Sequence, residues 1–434
     1  MMQPLSIRTY DTRQTPIAQI ASELRPPLFL KFAKEAAEVS RIVRDVAARG
    51  DAALVEHVRR LDWPDATPER FEVPREEIDT AYDSLPDDQR RALVKACERV
   101  RRFHERCLPR SWVEREAGRT LGQRWMPLRR VGIYVPGGTP LPSTVYMCAA
   151  PARVAGVDEI VMVVPSKPDG SLIPLMLAAA REAGVDRVFR VGGPQAVAAL
   201  AFGTETIPRV DKIVGPGNIY VTLAKREVFG QVGIESLPGP SDVLVISDGT
   251  VPASWVAADL LSQAEHGALS SAVLCTPSAA HAAEVRAELV RQTGDLERGA
   301  EARESLAQRG ALVVCRDLDQ CVAVANAVAP EHLEVLAKEA EALSAGLRTA
   351  GAIFLGAHTP EPVGDYLAGP SHVLPTEGTA RYASPLGVED FMRRSSVLEY
   401  SPGALTEDGR DIITLAKAEG LTAHARSVSI RLEE

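Results

Sequence analysis

The hydrophobic pattern changes character twice along the chain. Up to about residue 130 it is mostly helical. KFAKEAAEVSRIVRDVAARG, residues 31–50, sets apolar side chains at helical spacing and ends on glycine, which predicts a helix with a defined stop. DDQRRALVKACERVRRFHERC, residues 87–107, predicts a second long amphipathic helix whose RRFHER face is solvated charge. From residue 131, short β-branched runs alternate with alanine-rich helical runs: VGIYVPGG, EIVMVVPS, LIPLMLAAAREAGV, RVFRVGGPQAVAALAFG and DKIVGPGNIYVTLAKREV. A second such set follows LPGPSD: VLVISD, VAADLLSQAEHG, SAVLCT, HAAEVRAELVRQ, ALVVC and GAIFLG. This alternation builds parallel sheets covered by helices on both faces. The expected fold class is therefore α/β, with two doubly wound parallel-sheet domains meeting near residues 236–242. After about residue 386 the pattern weakens to one or two helices, too little for a separate core, so this tail must pack on something else.

The length, 434 residues, agrees with more than one core. A hydrophobic share of 45% and a charged share of 25% are those of a soluble globular protein. The net charge of −9 argues against a general nucleic-acid binder and against an anionic membrane surface. No apolar run reaches spanning length, and the start MMQPLSIRTYDTRQ lacks the apolar region of a secretory signal. Six scattered cysteines with no CxxC, most in apolar stretches, read as buried free thiols in a reducing cytoplasm.

Candidate chemistry gathers in six places. In the helical run around LLSQAEHGALSS, Ser254 is the expected N-cap and Gly267 the expected stop, while Asp259, Gln263 and His266 share one stripe headed by Val256. That stripe suits the wall of a metal site or a solvated face, and the stretch alone leaves both open. Two glycine-rich turns, VGGPQAV and VGPGNIYV, each open a helix whose free N–H groups can hold an anion, although neither is GxGxxG. VAPEHLEVLA sets Glu331 beside His332, at a helix start or aimed together into a pocket. The Gly- and Pro-rich segment PEPVGDYLAGPSHVLPT reads as a functional loop carrying Asp365 and His372. AEGLTAHARS adds Glu419 and His424. Together, Gln263, His266, Asp365 and His424 make a four-donor nitrogen and oxygen set that suits zinc, with Glu331 and His332 as a proton-transfer pair beside it.

Over nearly its whole length the chain resembles the histidinol dehydrogenase family. VGIYVPGG, VGGPQAVAALAFGT, KIVGPGNIYV, GPSDVLVI, DLLSQAEHG, PEHLE, GDYLAGPSHVLPT and EGLTAH occur in the family's order and approximate spacing. The resemblance implies a cytoplasmic homodimer with two Rossmann-like domains. It implies a zinc enzyme, one ion per subunit, that oxidises L-histidinol to L-histidine with two NAD through histidinaldehyde, the last step of histidine biosynthesis. Zinc would be held by Gln263, His266 and Asp365 of one subunit and His424 of the other. Glu331 and His332 would be the proton acceptors. Substrate would also meet Ser241, His372 and Glu419, besides His332 and the ligand residues. Tyr134, Gln195 and Asn218 would contact NAD. The implied division is an N-terminal segment 1–24, a discontinuous domain of 25–130 and 242–385 with the metal and catalytic residues, an NAD domain 131–241, and a tail 386–434 packed on the partner. Departures at Ser371, at GPSD and in residues 136–145 leave room for a relative that oxidises another small hydroxylated compound. A non-catalytic, metal-stabilised binding protein on the same fold is the competing class, but it has no use for adjacent Glu331 and His332.

Overall fold

The strands Asp242–Ser247 and Ser271–Thr276 are buried at every residue. That is why their sequences, DVLVIS and SAVLCT, run nearly continuously apolar rather than alternating: in a parallel sheet both faces are covered by helices. A computed structural model of the chain describes residues 5–25, 32–137 and 141–433. It contains two parallel sheets of this kind. The larger has six strands in the order Arg8–Asp11, Ala311–Val314, Ser271–Thr276, Asp242–Ser247, His332–Leu336, Ala352–Leu355. The smaller has five, in the order Arg187–Phe189, Glu159–Val163, Arg130–Tyr134, Lys212–Val214, Gly233–Ile234. Leaving aside the N-terminal edge strand of the larger sheet, both follow the same order, third, second, first, fourth, fifth, so each reverses direction beside its first strand. The doubly wound α/β expectation is met twice.

Each sheet splits its side chains between two cores with the period of two that a strand imposes. Ile160 and Met162 face a core closed by the helices Asp87–Glu105, Pro142–Ala155 and Pro174–Ala183. Val161 and Val163 face one closed by Ala33–Arg49, Asp51–Leu61, Gly193–Phe202 and Ile219–Val228. The helices of residues 33–105 therefore pack on the five-stranded sheet, whereas residues 25–130 had been grouped with 242–385. Their apolar stripes fix which face is buried but not which sheet they meet, and sequence neighbourhood to residue 242 plays no part. The described part of the segment 1–24 adds an edge strand to the six-stranded sheet and the helix Ile17–Leu24 to its core.

The tail holds more than helices. The strand Met392–Tyr400 pairs antiparallel with Arg119–Pro127 of the same chain, next to Trp112–Glu116, before the helices Pro402–Ala418 and Thr422–Leu432. Side chains around this small sheet and the two helices stay exposed, among them Trp112, Leu398 and Leu415. Among the described residues no helix is long and apolar enough to cross a membrane. The cysteines are free and buried, except Cys107, which is exposed.

Candidate active site

A cavity of about 620 Å3 opens between the two sheets. The five-stranded sheet presents the C-terminal ends of its strands to it, through Pro136 and the turn Pro216, Gly217, Asn218. The six-stranded sheet presents the opposite ends: Ser241 precedes the strand from Asp242, and Glu331 and His332 lie at the start of His332–Leu336. PEHLE is thus the entry to a strand rather than a helix start. The side chains of Glu331 and His332 are buried at the cavity wall.

Gln263 and His266 come to the same cavity from the end of the helix Ala253–Ala264, which runs back from the strand before it. The helix starts two residues earlier than Ser254 would set it, because Pro252 turns the chain, and Ser254 lies inside its first turn. Gln263 is 1% exposed, and neither amide atom has a hydrogen-bond partner among the described residues. A buried amide left open in this way calls for a ligand. Burial lowers the His266 pKa, which favours the neutral imidazole that metals bind. Asp365 stands on a one-turn helix, Glu361–Tyr366, within the segment read as loop, and lines the cavity with His372.

His332 Nδ1 lies 3.1 Å from the carbonyl of Asp242, and since a carbonyl only accepts, Nδ1 carries the proton. Nε2 faces carboxylates, 3.7 Å from Asp365 Oδ1 and 3.8 Å from Glu361 Oε1, too far for hydrogen bonds. Burial pulls the His332 pKa down, but Glu331, Asp365 and Glu361 outweigh it and carry it to about 10. Burial acts on Asp365 in the raising direction, yet contact with His332 and the charge of His372 prevail and hold it to about 2. Burial first, and then the neighbouring acids, push Glu331 and Glu361 each to about 8. His332, Glu361 and Asp365 offer ligand atoms all within 4.8 Å of one another, a second grouping able to hold a cation, sharing Asp365 with the first.

Glu361 had no place in the sequence reading; its signal is the four-residue spacing to Asp365, which stacks both acids on one helix face. Of the residues assigned to NAD, Asn218 lines the cavity, whereas Tyr134 and Gln195 do not. Gln195 is 0% exposed and donates to Asp62. The glycine turns are also less free than expected. Gly192 N–H donates to Asp62 and Gly193 N–H to the Tyr134 hydroxyl, while the Asn218 side chain accepts from the N–H groups of Tyr220 and Val221. Glu419 and His424 are exposed and do not line the cavity of their own chain. Within residues 136–145, the last four of which open the helix Pro142–Ala155, residues 138–140 lie outside the described residues.

The sequence model of the family described as histidinol dehydrogenase matches residues 30–432. The chain is 53% identical over 397 residues to the histidinol dehydrogenase of Methylococcus capsulatus, covering 91% of each protein. It is 54% identical over 401 residues to that of Chromobacterium violaceum, covering 92% of each. Its fold superposes on the crystal structure of histidinol dehydrogenase from Elizabethkingia anophelis with a TM-score of 0.90 at 33% identity, covering 98% of both chains. Agreement of sequence and of fold from one end to the other leaves one assignment: the chain belongs to the histidinol dehydrogenase family.

Proposed function

We propose that the protein oxidises L-histidinol to L-histidine in two NAD-dependent steps through bound histidinaldehyde, with zinc at Gln263, His266 and Asp365 of one subunit and His424 of a second. The observation that carries this reading is the placement of the buried Glu331 and His332 in one cavity with the open amide of Gln263. Gln263, His266 and Asp365 fit the metal, since a carbonyl oxygen, a neutral imidazole and a carboxylate are donors zinc accepts. When bound, zinc would supply a Lewis acid for the reacting oxygen and NAD would supply the acceptor for each hydride.

The chain's own groups move the protons. With Nδ1–H committed to the Asp242 carbonyl, His332 turns Nε2 to the cavity; the acids around it make it a strong base, and once Nε2 has lost its own proton it takes the alcohol proton as hydride leaves the carbon. Glu331 takes a proton from the water that adds to the aldehyde, so the second hydride departs from the hydrate. Ser241, His372 and the partner's Glu419 position the substrate, and Asn218, at the cavity wall, contacts NAD. Keeping the aldehyde bound in the cavity protects it from side reactions.

Coupled stoichiometry tests the reading. Two NADH should form per L-histidinol consumed, with activity lost to a chelator and regained with zinc. One NADH with free aldehyde would overturn the four-electron assignment, and full activity in metal-free protein would overturn the zinc assignment. A kcat/KM about tenfold higher on another hydroxylated compound would replace the substrate.

A further inference from the structure

Asp242 stands outside the cavity lining, yet it touches both members of the proton-transfer pair. Its backbone N–H donates to Glu331 Oε2 at 2.9 Å, and its Oδ1 accepts from the Glu331 backbone N–H at 2.9 Å. Its carbonyl takes the Nδ1 proton of His332 at 3.1 Å. These bonds extend the parallel ladder at its N-terminal edge, one residue beyond the pairing of His332 with Val243. There the last N–H groups of both strands would otherwise have no ladder partner. The carboxylate of Asp242 is in turn held by Arg25, whose Nη2 donates to Oδ1 at 2.6 Å and whose Nε donates to the Val328 carbonyl at 3.1 Å. Both side chains of the pair are largely buried. Arg25, just past the end of the helix Ile17–Leu24, thus ties together the start of the Asp242 strand and the chain that leads into Glu331.

We infer that Asp242 and Arg25 form a positioning pair for Glu331 and His332: through it the N-terminal segment holds the two strand starts, from which the Asp242 main chain fixes the carboxyl of one and the ring tautomer of the other. This rests on the roles proposed above for Glu331 and His332. Neither Arg25 nor Asp242 lines the cavity, so substrate should bind as well without them, and the loss should fall on turnover. A displacement of about 1 Å at a reacting group can cost about 10²-fold in rate. Because Asp242 addresses both residues, both half-reactions should slow, unlike a change in either residue alone.

The test uses the full chain with zinc and NAD, and follows kcat and KM for L-histidinol and, separately, for added histidinaldehyde. Asp242→Ala and Arg25→Met should lower kcat on both substrates by about 10- to 100-fold, with KM changed less than about threefold. Arg25→Lys should recover most of the kcat that Arg25→Met loses. Breaking a buried ion pair can unfold a protein. The double variant Asp242→Asn with Arg25→Gln removes both charges together and should fold, as read by its melting temperature, while staying slow on both substrates. Wild-type kcat in that folded variant overturns the inference, as does a rise in KM with kcat kept, or equal loss in Arg25→Lys and Arg25→Met. A wild-type chain inactive on L-histidinol overturns both this inference and the function it rests on. An active wild type with equally active, folded Asp242 variants overturns the positioning role alone.

Discussion

His104 sits near the end of the helix Asp87–Glu105 with 2% of its surface exposed, and neither ring nitrogen has a partner among the described residues. Burial lowers its pKa from 6.5 to about 4. The folded chain therefore holds this imidazole neutral where the unfolded chain already binds a proton. The neutral histidine contributes its full stability above about pH 6.5 and loses it as pH falls toward 4, a change of up to about 3 kcal/mol. His104→Leu should flatten that part of the acid limb, measured as melting temperature between pH 7 and 4. The same acid loss in both proteins would count against it. At the cavity, Glu331→Gln should slow oxidation of histidinaldehyde more than that of histidinol, and His332→Asn should harm the first oxidation, each by about 10²–10⁴. Single-turnover rates for the two steps separate these outcomes, and normal rates in both variants would refute the roles.

Elements carry their own constraints around the same site. The helix Ile219–Val228 begins on Asn218, whose Oδ1 accepts from Tyr220 N–H at 3.1 Å and Val221 N–H at 3.2 Å. Just before it, Gly215 has φ +109°, and a Cβ there would lie 2.2 Å from the carbonyl oxygen of Tyr134, so glycine lets the turn cross the neighbouring strand end. Asn218 thus caps its helix and lines the cavity at once. Asn218→Ala should cost about 1 kcal/mol of stability through the lost cap and should also raise KM for NAD. Asn218→Ser keeps a capping oxygen but not the amide, so it should recover the melting temperature while KM stays high. Full recovery of both by serine would show that the cap, and no contact with NAD, accounts for the effect.

On the scale of the whole molecule, the tail raises the question of what completes the site. Glu419, just past the helix Pro402–Ala418, and His424, in the helix Thr422–Leu432, are exposed, as are the neighbouring apolar side chains Leu415 and Leu421. If a second copy covers this face, two-fold symmetry gives two equal sites, each closed by the other chain's tail. Gln263→Ala and His424→Ala should then each be inactive alone. A mixed dimer formed by co-expression would gather both lesions in one site and leave the other intact, restoring about half of the wild-type activity per dimer. No recovery on mixing would place His424 in its own subunit's site.

The alternation of runs such as EIVMVV and LIPLMLAAAREAGV already specified two parallel α/β sheets, because burial on both faces demands unbroken apolar strands and amphipathic helices to cover them. The residue types of the site were legible as well: Gln263, His266, Glu331, His332, Asp365 and His372 all line one cavity. Tertiary structure decided what depends on elements far apart in the chain. It set the helices of residues 33–105 on the five-stranded sheet, since an apolar stripe does not name the surface it will meet. It buried His104 on a face that read as solvated charge, and filled the glycine turn at Gly192 and Gly193 with Asp62 and Tyr134 from distant segments. It brought Arg25 to Asp242 across 217 residues. Local periodicity encodes how a segment is divided between water and core; which charges share that core is settled only when the sheets close on one another.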